Sequence, residues 1–175
     1  MQKNHPCTRP NQQRQSRDFY NGGSVMNATT TGSTNNAEND IERLKTVLNH
    51  NPDDIAAAVS LGNIYFDQGE AAQAIVYYSY ALRTDPNQPE VWTDMGTMYW
   101  RNGDVAFAER AYRQVLKTHA GFGNAYINLG LLLRDAKRNL GQACALWKEL
   151  VERYPNHPST PRARALLAET FLQLG

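Results

Sequence analysis

The stretch Met95-Gly96-Thr97-Met98-Tyr99-Trp100-Arg101-Asn102-Gly103-Asp104-Val105-Ala106-Phe107-Ala108 decides the fold, because its spacing returns on both sides. Thirty-four residues earlier the chain reads Leu61-Gly62, Tyr65, Gly69-Glu70 and Ala74, and 34 residues later Leu129-Gly130 and Leu133. At the same offset Tyr78 matches Tyr112 and Pro52 matches Pro86. Self-similarity at such a period marks stacked units, each burying its apolar face on the next. A glycine inside a helix costs about 1 kcal/mol relative to alanine. Gly62, Gly96 and Gly130 at one phase therefore need a shared cause, and close approach of two helices supplies it. The expected arrangement sets each glycine, on the first helix of a pair, against the small Ala74, Ala108 and Ala143 of the second. Tyr78, Tyr112 and Trp147 then fill the flanking space.

The punctuation agrees. Gly69-Glu70 and Gly103-Asp104 read as a left-handed helix end followed by an acid suited to the next helix start. Pro86 and Pro155 stop the second helices, since proline lacks the donor to continue and restricts the residue before it. Outside this body, Asp40 to Asn51 reads as a lone second helix and Pro161 to Leu174 as a lone first helix. In the latter, Ala165, Leu167, Ala168 and Phe171 are expected inward, with Arg162, Arg164, Glu169 and Gln173 in water. Residues 1–39 are rich in Asn, Gln, Ser, Thr and Gly. Such a composition offers too little apolar surface to offset ordering entropy, so it predicts a disordered tail. Asn21-Gly22-Gly23 ahead of Met26 raises a second reading, in which glycine codons form a ribosome-binding site and Met26 is the true start.

Small, aromatic and proline positions in this order strongly resemble the tetratricopeptide repeat (TPR). The resemblance covers roughly residues 40–175 and implies an all-α, right-handed α-solenoid of antiparallel helix pairs: three TPR repeats plus capping half-repeats. The expected units are a half-repeat at 40–52, repeats at about 55–87, 89–122 and 123–156, and a capping helix at 160–174. Repeat three carries one inserted residue, which shifts Ala143, Trp147 and Pro155. Departures from the family pattern are Ala58 at a frequent tryptophan position, Ala120 for a proline and Lys137 for the turn glycine.

The resemblance also implies a concave groove lined by first helices. Carried over position by position, the peptide-binding set is Asn63, Phe66, Asp94, Thr97, Trp100, Arg101, Asn128 and Leu131, beside Val59, Asp67, Glu90, Asn124 and Arg134. Asn63 and Asn128 could hold an extended backbone while Phe66 and Trp100 accept apolar side chains. The alternative has the asparagines solvating a helix face and the aromatics finishing the core. One subfamily grips acidic chaperone tails with Lys, Arg and Asn on these faces. Here only Asn63 matches: Val59, Asp94, Asn124 and Asn128 stand at the other positions, which argues against that clamp.

Charge and chemistry narrow the function. The 175 residues carry 18 Lys and Arg against 17 Asp and Glu, a net charge of +1, so the total points to no polyanionic partner. It is unevenly spread: residues 41–100 hold three basic and eight acidic residues, and residues 130–164 hold seven basic and three acidic. That polarity suits either steering of a bipolar partner or head-to-tail homo-oligomer formation. A helical-repeat RNA-binding protein is the alternative class, disfavoured because Asp67, Glu90 and Asp94 occupy the face that would meet phosphates. Nucleophile–base pairs, phosphate loops and metal-ligand spacings are not found, so neither an enzyme nor a cofactor or small-molecule substrate is expected. His5 and Cys7 lack further ligands, and Arg9, Arg14 and Arg17 read as solvated charge. His50, His119 and His157 near second-helix ends suit capping, and Cys144 a small buried hydrophobe. The stretch Ala143 to Leu150 also resembles, over one helix, repeat proteins of cytochrome c assembly. No apolar run reaches membrane-spanning or secretory length, so no membrane insertion and a cytoplasmic location are expected. The resulting expectation is a protein–protein interaction module, an adaptor, scaffold or assembly helper that binds a protein or peptide partner.

Overall fold

The helix starts and stops are set by short side chains and two glycines. A computed structural model describes residues 33–172. The readings of the early tail, including His5, Cys7, Arg9, Arg14, Arg17 and Met26, lie outside the described residues, as does Gln173. The chain divides into two units, residues 1–35 and 36–175, and the solenoid belongs to the second. The described elements are α1 (Ser33–His50), α2 (Ile55–Gln68), α3 (Ala71–Thr84), α4 (Pro89–Arg101), α5 (Val105–Thr118), α6 (Gly123–Asp135), α7 (Leu140–Arg153) and α8 (Thr160–Leu172). Among the described residues there is no strand. Helix α1 begins at Ser33, seven residues ahead of the expected Asp40. Its first turns are polar, and a helix satisfies its own backbone groups without needing burial.

Asp54 starts α2 by accepting from the Ala57 N–H at 2.9 Å, and Asp104 does the same for Phe107 in α5 at 2.9 Å. Glu70, one methylene longer, makes no such bond. Gly69 and Gly103 take φ of 79° and 91°, the left-handed end that a side chain resists. Glu70 and Asp104 then donate their N–H groups to the carbonyls of Tyr65 and Tyr99, each at 2.9 Å. The third turn solves the problem differently. Lys137 stands at the expected glycine position, yet Arg138 takes the positive φ, 55°. The inserted residue moves the reversal one place along, and Lys137 instead reaches Glu109 on α5 at 2.7 Å.

The helices pair in sequence, α2 on α3, α4 on α5 and α6 on α7, and each pair packs on the next. At the heart of each pair lies a glycine beneath an aromatic ring. A Cβ on Gly62 would collide with the Tyr78 ring, and one on Gly130 with the Trp147 indole. On Gly96 it would lie 2.9 Å from Cε1 of Tyr112. The ring expected to fill the flanking space is thus the group nearest each glycine, and at Gly96 a small side chain joins it, with the Ala111 Cβ 3.2 Å from the same point. Tyr78, Tyr112 and Trp147 are fully buried, as are Ala74, Ala108 and Ala143.

The core runs between the hairpins in three clusters. Ile41 and Leu44 of α1 pack on Ala57 and Leu61. Tyr78, Leu82, Met95 and Met98 join the first two pairs, and Tyr112, Leu129, Leu132 and Trp147 join the second to the third and to α8. The inward face of α8 differs from expectation. Thr160, Ala163, Leu166 and Thr170 are buried, whereas Ala165 and Ala168 are exposed and Phe171 is 61% exposed. The Thr160 hydroxyl donates to the Tyr154 carbonyl at 2.7 Å, which fixes the rotation of α8 from its first residue.

Two glycine replacements separate packing from backbone strain. Gly96→Leu should lose roughly 1–3 kcal/mol by overpacking against Tyr112. Gly103→Ala, with open space around its Cβ, should lose about 1 kcal/mol from its left-handed backbone alone. Urea unfolding checks both; an unchanged midpoint for Gly96→Leu contradicts the ring-on-glycine contact.

Candidate functional site

The first helices α2, α4 and α6 contact one another directly, α2 with α4 and α4 with α6, so their residues form one continuous surface. Of the expected groove set, Asn63 and Arg101 are exposed and Thr97 and Trp100 half-buried, whereas Phe66, Asp94, Asn128 and Leu131 are buried. Leu131 and Ile127 sit within the core between the second and third pairs, and Phe66 within that of the first two. The accessible surface is therefore mainly polar, with Trp100 its half-buried aromatic and Phe66, Ile127 and Leu131 closed into the core beneath.

Each second-helix ring that covers a glycine also sends its polar end toward this surface. The Tyr78 hydroxyl donates to Oδ1 of Asn63 at 2.9 Å. That bond occupies the asparagine oxygen and leaves its amide N–H groups outward. One repeat on, the Thr97 hydroxyl lies 3.0 Å from the Thr93 carbonyl and 2.9 Å from the Tyr112 hydroxyl. The single Thr97 proton serves the carbonyl, so Tyr112 is the donor to Thr97 Oγ1. Nδ2 of Asn128 reaches the same oxygen at 3.5 Å, tying the second pair to the third. Burial, opposed by the Thr97 bond, holds the Tyr112 phenol well above its ordinary pKa and keeps it a donor. In the third pair the Trp147 Nε1 donates to the Ile127 carbonyl at 3.5 Å. The sequence reading treated these rings as fillers. Their shared polar atom, a hydroxyl or an indole N–H, was the signal that each also needs a hydrogen-bond partner on the first helix.

Charge on this face is mixed. The Arg101 guanidinium lies 4.7 Å above the Phe66 ring and donates to the Phe66 carbonyl at 3.3 Å, closing the first repeat onto the second. Asp67 beside it is pushed up by partial burial and pulled back by Arg101. Arg134 is drawn to Asp135 at 2.6 Å and to Glu169 at 3.5 Å. At the chaperone-tail clamp positions stand half-buried Val59, buried Asp94 and Asn128, and exposed Asn63 and Asn124.

The comparisons agree with the architecture. Residues 30–175 match the family model described as the cilia and flagella-associated protein 70 middle TPR-like domain. The general transcriptional corepressor ssn6 of Schizosaccharomyces pombe is 35% identical over 72 residues, 41% of this chain and 6% of that protein. Tetratricopeptide repeat protein 5 of Mus musculus is 33% identical over 69 residues, 39% of this chain and 16% of that protein. The chain thus spans less than a fifth of those relatives. A crystal structure of MamA superposes with a TM-score of 0.71 at 20% identity, covering 82% of this chain and 81% of that one. The first TPR of Spaghetti, bound to an HSP90 peptide SRMEEVD, superposes with a TM-score of 0.59 at 25% identity, covering 69% and 92%.

Removing the shared acceptor should cost more than removing one donor. Thr97→Val strands the Tyr112 hydroxyl and the Asn128 amide and should lose roughly 1–3 kcal/mol, whereas Tyr112→Phe should lose about 1 kcal/mol. A double-mutant cycle by chemical denaturation checks it; additive losses contradict the shared bond.

Proposed function

We propose a function from one premise, that the chain belongs to the tetratricopeptide-repeat family through residues 30–175, which match a TPR-like family model. It is a protein–protein interaction module without turnover, acting as adaptor, scaffold or assembly helper. The groove of α2, α4 and α6 receives an extended segment of a protein partner. What supports this reading is the continuous, mainly polar surface of α2, α4 and α6: the exposed Asn63 has its oxygen held by Tyr78 and keeps its amide donors for a partner, and half-buried Trp100 stands on the same set of helices. Held donors bind an extended backbone at little ordering cost.

The Spaghetti domain binds a peptide that contains two glutamates and an aspartate. The groove proposed here differs in charge, with Asp67, Glu90 and Asp94 against Arg101 and an Arg134 already drawn to two carboxylates. Like charge disfavours an acidic segment, so the reading commits to a neutral or basic one. The same acids disfavour a phosphate backbone and hence RNA. Among the described residues no helix is long and apolar enough to cross a membrane. Cys144 is a free thiol, pushed up by burial, in keeping with the cytoplasmic location that forms part of this proposal.

Affinity purification with mass spectrometry, comparing the wild-type chain with an Asn63→Ala, Trp100→Ala double variant, tests the groove. Specific partners should be lost while the circular dichroism of the helices is retained, and Trp100→Phe should keep them. Unchanged recovery by a folded double variant overturns the groove.

A further inference from the structure

Repeat packing accounts for the core beneath the groove but not for one apolar patch on α1 and α3, neither of which contributes to the groove. Val76 is 50% exposed and Tyr80 42% exposed. Their counterparts in the second pair are Arg110 and Gln114, and in the third Ala145 and Glu149. The repeat therefore does not require large apolar groups there, and only the first pair carries them. At the Tyr77 position the second pair has Ala111 and the third Leu146.

Tyr77 and Tyr80 line a cavity of about 380 Å³ together with Lys45, Leu48, Asn49 and Pro52, and Val76 lies one helical turn before Tyr80. Its walls are ordered by stacking. Tyr65 stacks on Tyr77 with ring centres 5.5 Å apart and 3° between planes, and Tyr77 meets Tyr80 at 6.3 Å and 50°. The two lining rings thus form an open wedge with Leu48 and Pro52 as its apolar floor. Its rim is basic. The Arg83 guanidinium lies 5.2 Å from the centre of the Tyr80 ring, and Lys45, more than half of whose side chain is covered, pairs at 3.2 Å with the solvent-exposed Glu42.

We propose that this wedge is a second binding site, for a proline-bearing segment in polyproline II conformation with a flanking acidic residue. An aromatic wedge accepts a pyrrolidine ring on its two faces. The segment arrives already extended, so little chain entropy is lost. Polyproline II carbonyls have no internal donors, and the tyrosine hydroxyls and the Asn49 amide are donors of the required kind. Burial holds the Tyr77 phenol above its usual pKa, so it stays protonated. Lys45 and Arg83 supply the charge complementarity that selects an acidic flank over a basic one. The two sites therefore ask for opposite charge.

Fluorescence anisotropy of a dye-labelled Glu-Pro-Pro-Pro-Pro-Glu peptide against the full chain tests the proposal. Saturable binding is expected, weakened roughly tenfold or more by Tyr80→Ala, a loss of about 1.4 kcal/mol. Gln114→Ala, at the counterpart of Tyr80 in the second pair, should leave it unchanged. A peptide with alanines for prolines, or lysines for glutamates, should bind more weakly by a similar factor. Should Tyr80→Ala fail to fold, Val76→Glu at the exposed rim decides instead, with the same weakening expected. No saturable binding, or equal binding by the alanine peptide or by these variants, overturns the site. Light scattering showing a dimer that Tyr80→Ala converts to monomer also overturns it, assigning the patch to a second copy of the chain.

Discussion

An aromatic ring packed against the bare backbone of a helical glycine is the contact on which the rest of this structure depends. It sets how closely the two helices of each pair approach, because the ring replaces a Cβ that could not be accommodated on Gly62, Gly96 or Gly130. Repetition of one contact at one phase gives each pair the same geometry, and identical pairs stack into a solenoid rather than an irregular bundle. The glycines carry a helix-propensity cost of about 1 kcal/mol each, which burial of a whole tyrosine or tryptophan ring offsets.

The same rings connect stability to surface chemistry. A buried tyrosine must satisfy its hydroxyl, and in the first two pairs the acceptor is a residue of the groove, Asn63 or Thr97. Burying the ring thus orients the side chains available to a partner. Asn63 presents donors because its oxygen is taken, and Thr97 collects bonds from its own pair and from the next one. The third pair uses an indole and a backbone carbonyl instead. At that register the third pair has the buried Leu131 in the place of Asn63 and Thr97, while Asn124 stays exposed on the same helix.

The helix pairs were legible in the sequence because a 34-residue period constrains every element at once, and the turn glycines and stop prolines punctuated it. What could not be read was the direction of individual side chains. Alanine and aromatic positions lie one turn apart on the second helix, and the period alone does not say which covers the glycine. The α8 register escaped for a similar reason, since alanines occur on both of its faces and a single hydroxyl bond from Thr160 chose between them. Within the groove, residue identity gave Asn63, Thr97, Trp100 and Arg101 as accessible. Phe66, Asp94, Asn128 and Leu131 are covered because adjoining pairs close over them. The α1–α3 patch went unread although its signal was present, as Val76 and Tyr80 stand where the other pairs place Arg110, Gln114 and Glu149.

A double-mutant cycle at the third pair, Gly130→Ala against Trp147→Leu with stability from urea unfolding, tests the central contact most directly. Gly130→Ala alone should destabilise by roughly 1–3 kcal/mol through collision with the indole, and should cost far less once the ring is gone. A coupling energy of about 1 kcal/mol or more, in the direction of rescue, is the result this account predicts. Additive losses would mean that the ring does not set the spacing of the helices.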